Sequence, residues 1–477
     1  MTFTSFNFLV FFPLVVFIFN IIPQKGKVWF LLIASYFFYI NLQPVYALLL
    51  LMVSASTYLF AKKIAIRKNE KQKQRLLILG ITVVILPLFF FKYFGDINNA
   101  SVEILSRLGV YLPLPTISLM LPIGISFYTF MAIGYIVDVY NEDVAFEKNI
   151  ASTGLFLSFF PIILSGPIER ASNILPQFKN LRNSSTFDLI SGGKMILWGY
   201  FMKLCVADRL GIYIDAVFNN FLNHNGSTLA FASVLYPFQV YADLGGYSLI
   251  AIGVARCLGI KIIANFNRPF FATSMSEFWR RWHISLIQWL TDYIYTPLSF
   301  HLRTWKIWGI ISALMLTFLI SGVWHGAALT FIFWGLIQGI FLSIEAATQK
   351  KRFTIEQKFK LNTKWWYLLM NCTFVFILFA FSQIFGKCNN LNDAFYLITK
   401  ISSQPGTLFI DKTTLFYAFF ALFILLFKDF RDEYFPKKFL LFENRSIVIR
   451  FLSYAFILIL IVSIGVLDSG QFIYFQF

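Results

Sequence analysis

Two apolar runs near the middle of the chain, 307–323 and 326–345, restrict what this sequence can fold into. Each run is long enough to cross a bilayer, which takes about 20 residues. In lipid every backbone polar group must be satisfied within the protein, so runs of this kind form helices. Between them lies His325, in the string SGVWHGA (321–327). An ionisable side chain at membrane depth is costly, which makes His325 a candidate functional residue.

The low charge of the chain agrees with a membrane environment. Charged residues make up 13% of the 477 residues and hydrophobic residues 58%, whereas soluble domains keep roughly a quarter of their residues charged. The mean hydropathy is +0.70. We therefore predict an all-α polytopic membrane protein.

The formal net charge of +17 comes from basic residues in short clusters between apolar runs. This is the pattern of cytoplasmic loops, so we expect contacts with membrane lipids and no nucleic acid partner. The four cysteines are scattered without the spacing of metal ligands, and we predict no metal site.

The basic clusters also give the orientation of the chain. Segments 62–75 and 348–364 are rich in lysine and arginine, which assigns both to the cytoplasm. Counting spans outward from these loops predicts that the N- and C-termini both lie outside the cytoplasm. The candidate spans of the first and last parts of the chain are 5–22, 28–42, 44–61, 76–94, 117–137, 365–385, 411–427 and 447–467.

The centre of the chain is less regular. Both cytoplasmic loops require an even number of crossings between them, so we predict 10 or 12 transmembrane helices. The leftover apolar pieces would be re-entrant or interfacial helices, which are tolerated only when buried in protein or lining a cavity. We therefore predict a central chamber. The short or interrupted runs are 151–165, 190–207, 229–258 and 284–300.

His325 has two interpretations. An imidazole titrates near neutral pH and can take a proton from a hydroxyl, which suits a general base. The structural alternative is a histidine that hydrogen-bonds between helices. The residue chemistry alone leaves both open.

A second candidate is His283, at the end of the string EFWRRWH (277–283). Arginines and tryptophans are typical of a membrane boundary, and spacing alone favours that interpretation. The functional alternative is a basic, aromatic mouth for a phosphate-bearing donor, because arginine pairs with phosphate. The candidate donor-binding residues are Arg280, Arg281, Trp279, Trp282, and Asn267 and Arg268 from the polar turn NFNRP (265–269).

Polar residues also interrupt the apolar run 229–258. A carboxylate at bilayer depth costs on the order of 3 kcal/mol, so Asp243 is expected to face protein or water. It is either a structural clamp of a broken helix or part of the chamber. The candidate chamber-lining residues are Gln239, Tyr241, Asp243 and Trp324.

The C-terminal string FIYF (472–475) is aromatic. It would serve as an interfacial anchor or a contact surface for an extracytoplasmic partner. A sharper hypothesis makes the Tyr474 hydroxyl a transient acyl acceptor.

Several of these strings together resemble the membrane-bound O-acyltransferase family, in its bacterial alginate O-acetyltransferase-like branch. They are YADLGGYS (241–248), NFNRP (265–269), EFWRRWHISL (277–286) and WHG (324–326). GISFYTF (124–130), SGPIERAS (165–172) and FIYF also fit that branch. The chain departs from the family at 244–249, where LGGYSL stands in place of the frequent FSGYSD.

The resemblance implies a bacterial inner-membrane enzyme, an O-acyltransferase whose helices surround a chamber open to both sides. It implies that His325 is the catalytic histidine and His283 the second functional histidine. The donor would be acetyl-CoA or another acyl thioester, bound as a substrate from the cytoplasm, with no permanently bound cofactor. In the alginate-like branch, acetyl groups pass to an extracytoplasmic acetyltransferase partner and a polysaccharide acceptor.

We therefore predict a single membrane acyltransferase domain over 1–477, with N-terminal helices (1–115), a core with the active site (116–346) and C-terminal helices with an external tail (347–477). Its function would be to move acetyl across the membrane for O-acetylation of an extracytoplasmic polysaccharide. Two alternatives are D-alanyl transfer from a carrier protein to teichoic acid, and a transporter or flippase of a lipid-linked donor.

Overall fold

The computed structural model describes residues 1–109, 120–164, 166–438 and 440–467. Within these ranges the chain is α-helical and contains no strand. Among the described residues, nine helical stretches are long and apolar enough to cross a membrane, and three shorter apolar helices accompany them. The prediction of an all-α polytopic membrane protein is therefore confirmed.

The chain divides into two compact units, 1–193 with 251–263 and 194–250 with 264–477. The predicted segment boundaries at 115 and 346 stay a prediction. The α-helices, in chain order, are α1 Phe6–Ile21, α2 Lys27–Ile40, α3 Ala47–Ile66, α4 Glu70–Arg107, α5 Ile125–Tyr140, α6 Ile150–Ser158, α7 Phe160–Ile163, α8 Ala171–Lys179, α9 Thr186–Tyr200, α10 Asp208–Phe218, α11 Gly226–Cys257, α12 Met275–Arg281, α13 Ile284–Leu290, α14 Thr296–His301, α15 Ile307–His325, α16 Leu329–Phe359, α17 Trp365–Lys387, α18 Leu391–Ser403, α19 Lys412–Tyr434 and α20 Ile447–Ile464.

In the first unit, α3 packs against both α4 and α5. Helix α5 begins after Gly124, which has a φ of +77°, a left-handed conformation that glycine adopts without a steric penalty. The Tyr39 hydroxyl donates to the carbonyl of Ile123 at 2.9 Å. This contact fixes the start of α5 against α2.

In the second unit, α15 and α16 form a closely packed pair that carries the WHG string at its turn. Gly322 of α15 faces Gly335 of α16, and a Cβ on Gly335 would lie 3.0 Å from the Cα of Gly322. Small residues let helix backbones approach this closely in membrane bundles. The close approach holds the end of α15 in place.

The π-helical segment Phe201–Ala207 lies between α9 and α10. Such segments are uncommon and often occur at functional sites. Here the segment carries Lys203, whose Nζ lies 2.7 Å from Asp208 Oδ1 and 2.6 Å from Asp243 Oδ1. Three charged groups therefore meet in the buried interior of the second unit.

Candidate functional site

A small cavity in the second unit brings together both histidines singled out in the sequence. Its volume is about 60 Å³, which is about four times the ~15 Å³ that one water molecule requires. The space is therefore large enough for a small group of atoms. The lining residues are Tyr236, Val240, Leu244, Trp279, Trp282, His283, Leu286, Ser321, His325, Phe331, Trp334, Gln383 and Gly386.

His325 is the last residue of α15, and its ring lies among aromatic rings. Its Nδ1 lies 2.7 Å from the Ser321 carbonyl oxygen, one helical turn earlier. A carbonyl oxygen only accepts, so this bond assigns the proton to Nδ1 and makes Nε2 the basic nitrogen. The ring centroid of Trp334 lies 4.8 Å away in an edge-on arrangement. The imidazole is therefore held in one tautomer at the edge of the cavity.

His283 lies on the same cavity and is only 3% exposed. It precedes α13 with a φ of +46°, a left-handed conformation that is uncommon for a residue with a side chain and is concentrated at functional sites. The neighbouring backbone is fixed by a bond from the Ile284 amide to the Asn265 carbonyl, at 2.8 Å. The chain turns at His283, between the end of α12 and the start of α13. This turn places His283 at the wall of the cavity.

Asn265 was not among the predicted site residues, yet it fixes the segment that carries His283. Its Oδ1 accepts from the Ser285 amide at 3.2 Å and from the Ser285 hydroxyl at 2.9 Å. Its Nδ2 donates to the Ser248 hydroxyl at 3.0 Å. A buried polar network that is satisfied in this way rigidifies its surroundings. The only sequence signal was its place at the start of the NFNRP string.

Acidification is expected to destabilise the folded protein through His283. Burial, followed by the neighbouring His325, lowers the pKa of His283 to about 3, whereas a histidine in an unfolded chain titrates near 6.5. Between these values the unfolded chain binds the proton and the folded chain does not, so stability falls as the pH drops below about 6.5.

Thermal unfolding in detergent at about pH 7 and about pH 5 would measure this effect. His283→Gln removes the titrating group, and we expect this variant to lose less stability on acidification than the wild type. His224 and His301 are common to both proteins and cancel in the comparison. An equal loss in both would contradict the assignment.

The predicted donor-binding arginines differ in their surroundings. Arg281 is bound by two carboxylates, with Nη2 at 2.7 Å from Glu277 and 3.0 Å from Glu433. Arg268 Nε lies 3.1 Å from Glu433. Arg280 is exposed, and no ion pair to it is found among the described residues.

Two of the other predicted donor-binding residues, Trp279 and Trp282, line the cavity itself. The backbone amide of Asn267 donates to the Arg281 carbonyl at 2.8 Å, which ties the NFNRP turn to the end of α12. Donor binding by this group of residues stays a prediction.

The candidate chamber-lining residues have partners of their own. The Tyr241 hydroxyl donates to Asp429 Oδ2 at 2.8 Å, and Asp243 pairs with Lys203. Gln239 is buried. Trp324 is buried next to His325, with ring centroids 4.7 Å apart. Their role as chamber-lining residues stays a prediction. Tyr474 lies outside the described residues.

A larger polar cavity adjoins the first. Its volume is about 470 Å³, and Tyr236, Phe331 and Gly386 line both cavities. Most of the residues around it lie at or just after the ends of α10 and α17 and at the start of α16. Its other lining residues are Phe218, Asn219, Phe221, Ala328, Thr330, Lys387, Cys388, Asn389 and Asp393.

Comparison with known proteins gives a family and named relatives. The profile of the membrane-bound O-acyltransferase family matches residues 149–388. A probable alginate O-acetylase, AlgI, of Pseudomonas syringae pv. tomato is 36% identical over 73% of this chain and 66% of its own length. A peptidoglycan O-acetyltransferase of Helicobacter pylori is 32% identical over 80% of this chain and 75% of its own length. A teichoic acid D-alanyltransferase of Streptococcus thermophilus is 28% identical over 61% of this chain and 68% of its own length.

These matches confirm the resemblance inferred from the sequence motifs. The chain covers slightly less than two thirds of the length of the alginate relative. The family match begins and ends later than the predicted core of 116–346. It includes both histidines, α12, and the whole of α15, α16 and α17.

Proposed function

Because the chain belongs to the membrane-bound O-acyltransferase family, we propose that it transfers an acetyl group from acetyl-CoA to hydroxyl groups of an extracytoplasmic polysaccharide. The observation that carries the proposal is the cavity of about 60 Å³ at His325. It combines an imidazole base with space for a short acyl group. Relatives named for alginate and peptidoglycan O-acetylation support the same chemistry.

His325 acts as the general base of the transfer. Its Nε2 takes the proton from the acceptor hydroxyl, and the oxygen attacks the thioester carbonyl carbon. When the tetrahedral intermediate collapses, the carbon–sulfur bond breaks and the imidazolium returns the proton to the departing thiolate. The products are an acetyl ester and the free thiol of CoA. General-base help of this kind is worth about 10²–10⁴-fold in rate.

His283 supports this step as a neutral imidazole. Its lowered pKa keeps it uncharged near pH 7, where one ring nitrogen donates and the other accepts. It therefore hydrogen-bonds the acceptor hydroxyl and holds it in line with His325. Because His283 stays uncharged, the positive charge that forms on His325 has no second positive charge beside it in the small cavity.

The acceptor enters from the extracytoplasmic side through the larger cavity of about 470 Å³. Asn219, Asn389 and Asp393 on its walls offer both donors and acceptors, which suits a polyhydroxylated chain or the hydroxyl of a partner acetyltransferase. We also propose an extracytoplasmic partner protein and a location in a bacterial inner membrane with both termini outside the cytoplasm. The Tyr474 hydroxyl is proposed as a transient acyl acceptor.

D-Alanyl transfer is the second candidate function, and similarity to a teichoic acid D-alanyltransferase favours it. A D-alanyl group carries an ammonium, and a buried ammonium requires a compensating partner. The described residues that line the small cavity include no carboxylate, which favours acetyl over D-alanyl.

Acyl-chain selectivity tests the proposal. Membrane vesicles from cells that make the chain, together with their envelope polysaccharide, are supplied with acetyl-CoA or octanoyl-CoA, and ester formation is measured. We expect acetyl transfer at least about 100-fold faster, because a pocket this small excludes the longer chain.

The same vesicles supplied with a D-alanyl-loaded carrier protein distinguish the second candidate. Equal use of octanoyl-CoA would contradict the proposed role of the cavity. Transfer of D-alanine with no use of acetyl-CoA would replace the proposal with the alternative.

A further inference from the structure

Two tryptophans that line the histidine cavity carry unsatisfied indole N–H groups. Trp279 lies on α12 and Trp334 on α16, and each is 5% exposed. Neither Nε1 has a hydrogen-bond partner among the described residues. An indole N–H only donates, and a buried donor without an acceptor costs about 1–3 kcal/mol. The cost points to a ligand that brings the acceptor.

The two indoles form one group with the base. Their ring centroids lie 5.9 Å apart with an interplanar angle of 82°, and Trp334 is 4.8 Å from the His325 ring. A molecule in this cavity therefore lies against both tryptophans and His325 at once.

The relative position of the two helices is fixed by Glu345 of α16. Its Oε2 accepts from the Met275 amide at 2.7 Å, and its Oε1 accepts from the Ser276 hydroxyl at 2.5 Å. These bonds join the first residues of α12 to α16. Trp279 and Trp334 are thus held together before any ligand arrives, which is the condition for effective electrostatic stabilisation of a developing charge.

The acceptor that fits these donors is an oxygen that becomes negatively charged. None of the described residues that line the cavity is a lysine or an arginine, so apart from the His325 imidazolium formed in the same step, charge that develops inside it is stabilised by neutral donors. In a cavity lined mainly by aromatic and apolar side chains, such donors are worth more than they are in solution.

We propose that Trp279 and Trp334 form the oxyanion hole of the transfer reaction, donating their indole N–H groups to the carbonyl oxygen of the acyl thioester. The inference rests on the proposed acyl transfer. When the acceptor oxygen bonds to the carbonyl carbon, the carbonyl π electrons move onto that oxygen, and the two N–H groups stabilise it. When the carbon–oxygen double bond re-forms, the carbon–sulfur bond breaks and the N–H groups return to a neutral acceptor.

Trp279→Phe and Trp334→Phe test the proposal, because each keeps an aromatic ring and removes the N–H. Removing one such donor lowers kcat about 10²–10³-fold, and the KM for acetyl-CoA should change by less than about threefold because the interaction forms in the transition state. A role in packing alone would instead reduce thermal stability and leave kcat close to that of the wild type. Trp365→Phe is the matched control, since Trp365 is 75% exposed on α17.

A second replacement keeps the test decisive if a Phe variant fails to fold. Site-specific incorporation of β-(3-benzothienyl)alanine at 279 or 334 retains the bicyclic shape and replaces the N–H with sulfur. We expect the same fall in kcat. An active wild type together with folded variants whose kcat stays within about threefold of it would overturn the oxyanion hole and leave the acetyl transfer intact. A wild type without acetyl transfer would instead refute the proposed function.

Discussion

Replacing His325 with glutamine is expected to lower the rate of acetyl transfer about 10²–10⁴-fold, because the variant loses the general base. The bond from Nδ1 to the Ser321 carbonyl makes Nε2 the basic nitrogen, and a glutamine amide has no comparable basicity. The measurement is the acetyl content of extracellular polysaccharide by mass spectrometry, in cells with wild type or variant.

The matched control is His301→Gln, since His301 is exposed at the end of α14. We expect it to retain full activity. The amount of each protein in the membrane must be measured at the same time. Unchanged acetylation in a His325→Gln variant that is made and inserted normally would contradict the catalytic assignment and favour the structural interpretation of this histidine.

Replacing Lys203 with methionine is expected to cost about 3–5 kcal/mol of folding stability, because it leaves two buried carboxylates without their cation. The side chains of Lys203, Asp208 and Asp243 are 1%, 8% and 2% exposed. Breaking a buried charge cluster by removing one member is more damaging than replacing the whole cluster. The measurement is thermal unfolding of the purified protein in detergent.

Removing all three charges together separates the loss of a partner from the loss of the cluster. The triple variant Lys203→Met, Asp208→Asn and Asp243→Asn removes the charges together, and we expect it to recover part of the lost stability. Lys358→Met is the control, because Lys358 is exposed near the end of α16. If Lys203→Met unfolds at the same temperature as the wild type, the buried cluster does not stabilise the fold.

The presence of membrane helices could be predicted from the sequence, whereas their lengths could not. The predicted span 76–94 corresponds to α4, Glu70–Arg107. The predicted span 326–345 corresponds to α16, Leu329–Phe359. Both helices continue into polar sequence that was predicted to be a loop. Residues such as lysine, glutamine and glutamate favour helix, so a helix does not end where its apolar run ends.

The sequence placed both histidines among the candidates, and the structure brings them to one cavity. Pairwise partners were harder to foresee. Asp243 was expected to face protein or water, but its partner Lys203 lies in a different apolar run, and spacing within one helix carries no information about such a contact. Asn265 was missed for the same reason, since its side chain joins Ser248 to Ser285.

The most direct measurement follows labelled acetyl groups across the membrane. Sealed right-side-out vesicles are loaded with radiolabelled acetyl-CoA, and the acceptor polysaccharide with its extracytoplasmic partner is present outside. We expect label to appear in alkali-labile esters on the external polysaccharide with the wild type, and His325→Gln to reduce it about 10²–10⁴-fold. Label that stays on CoA with the wild type, or that reaches the polysaccharide equally with His325→Gln, would contradict acetyl transfer across the membrane by His325.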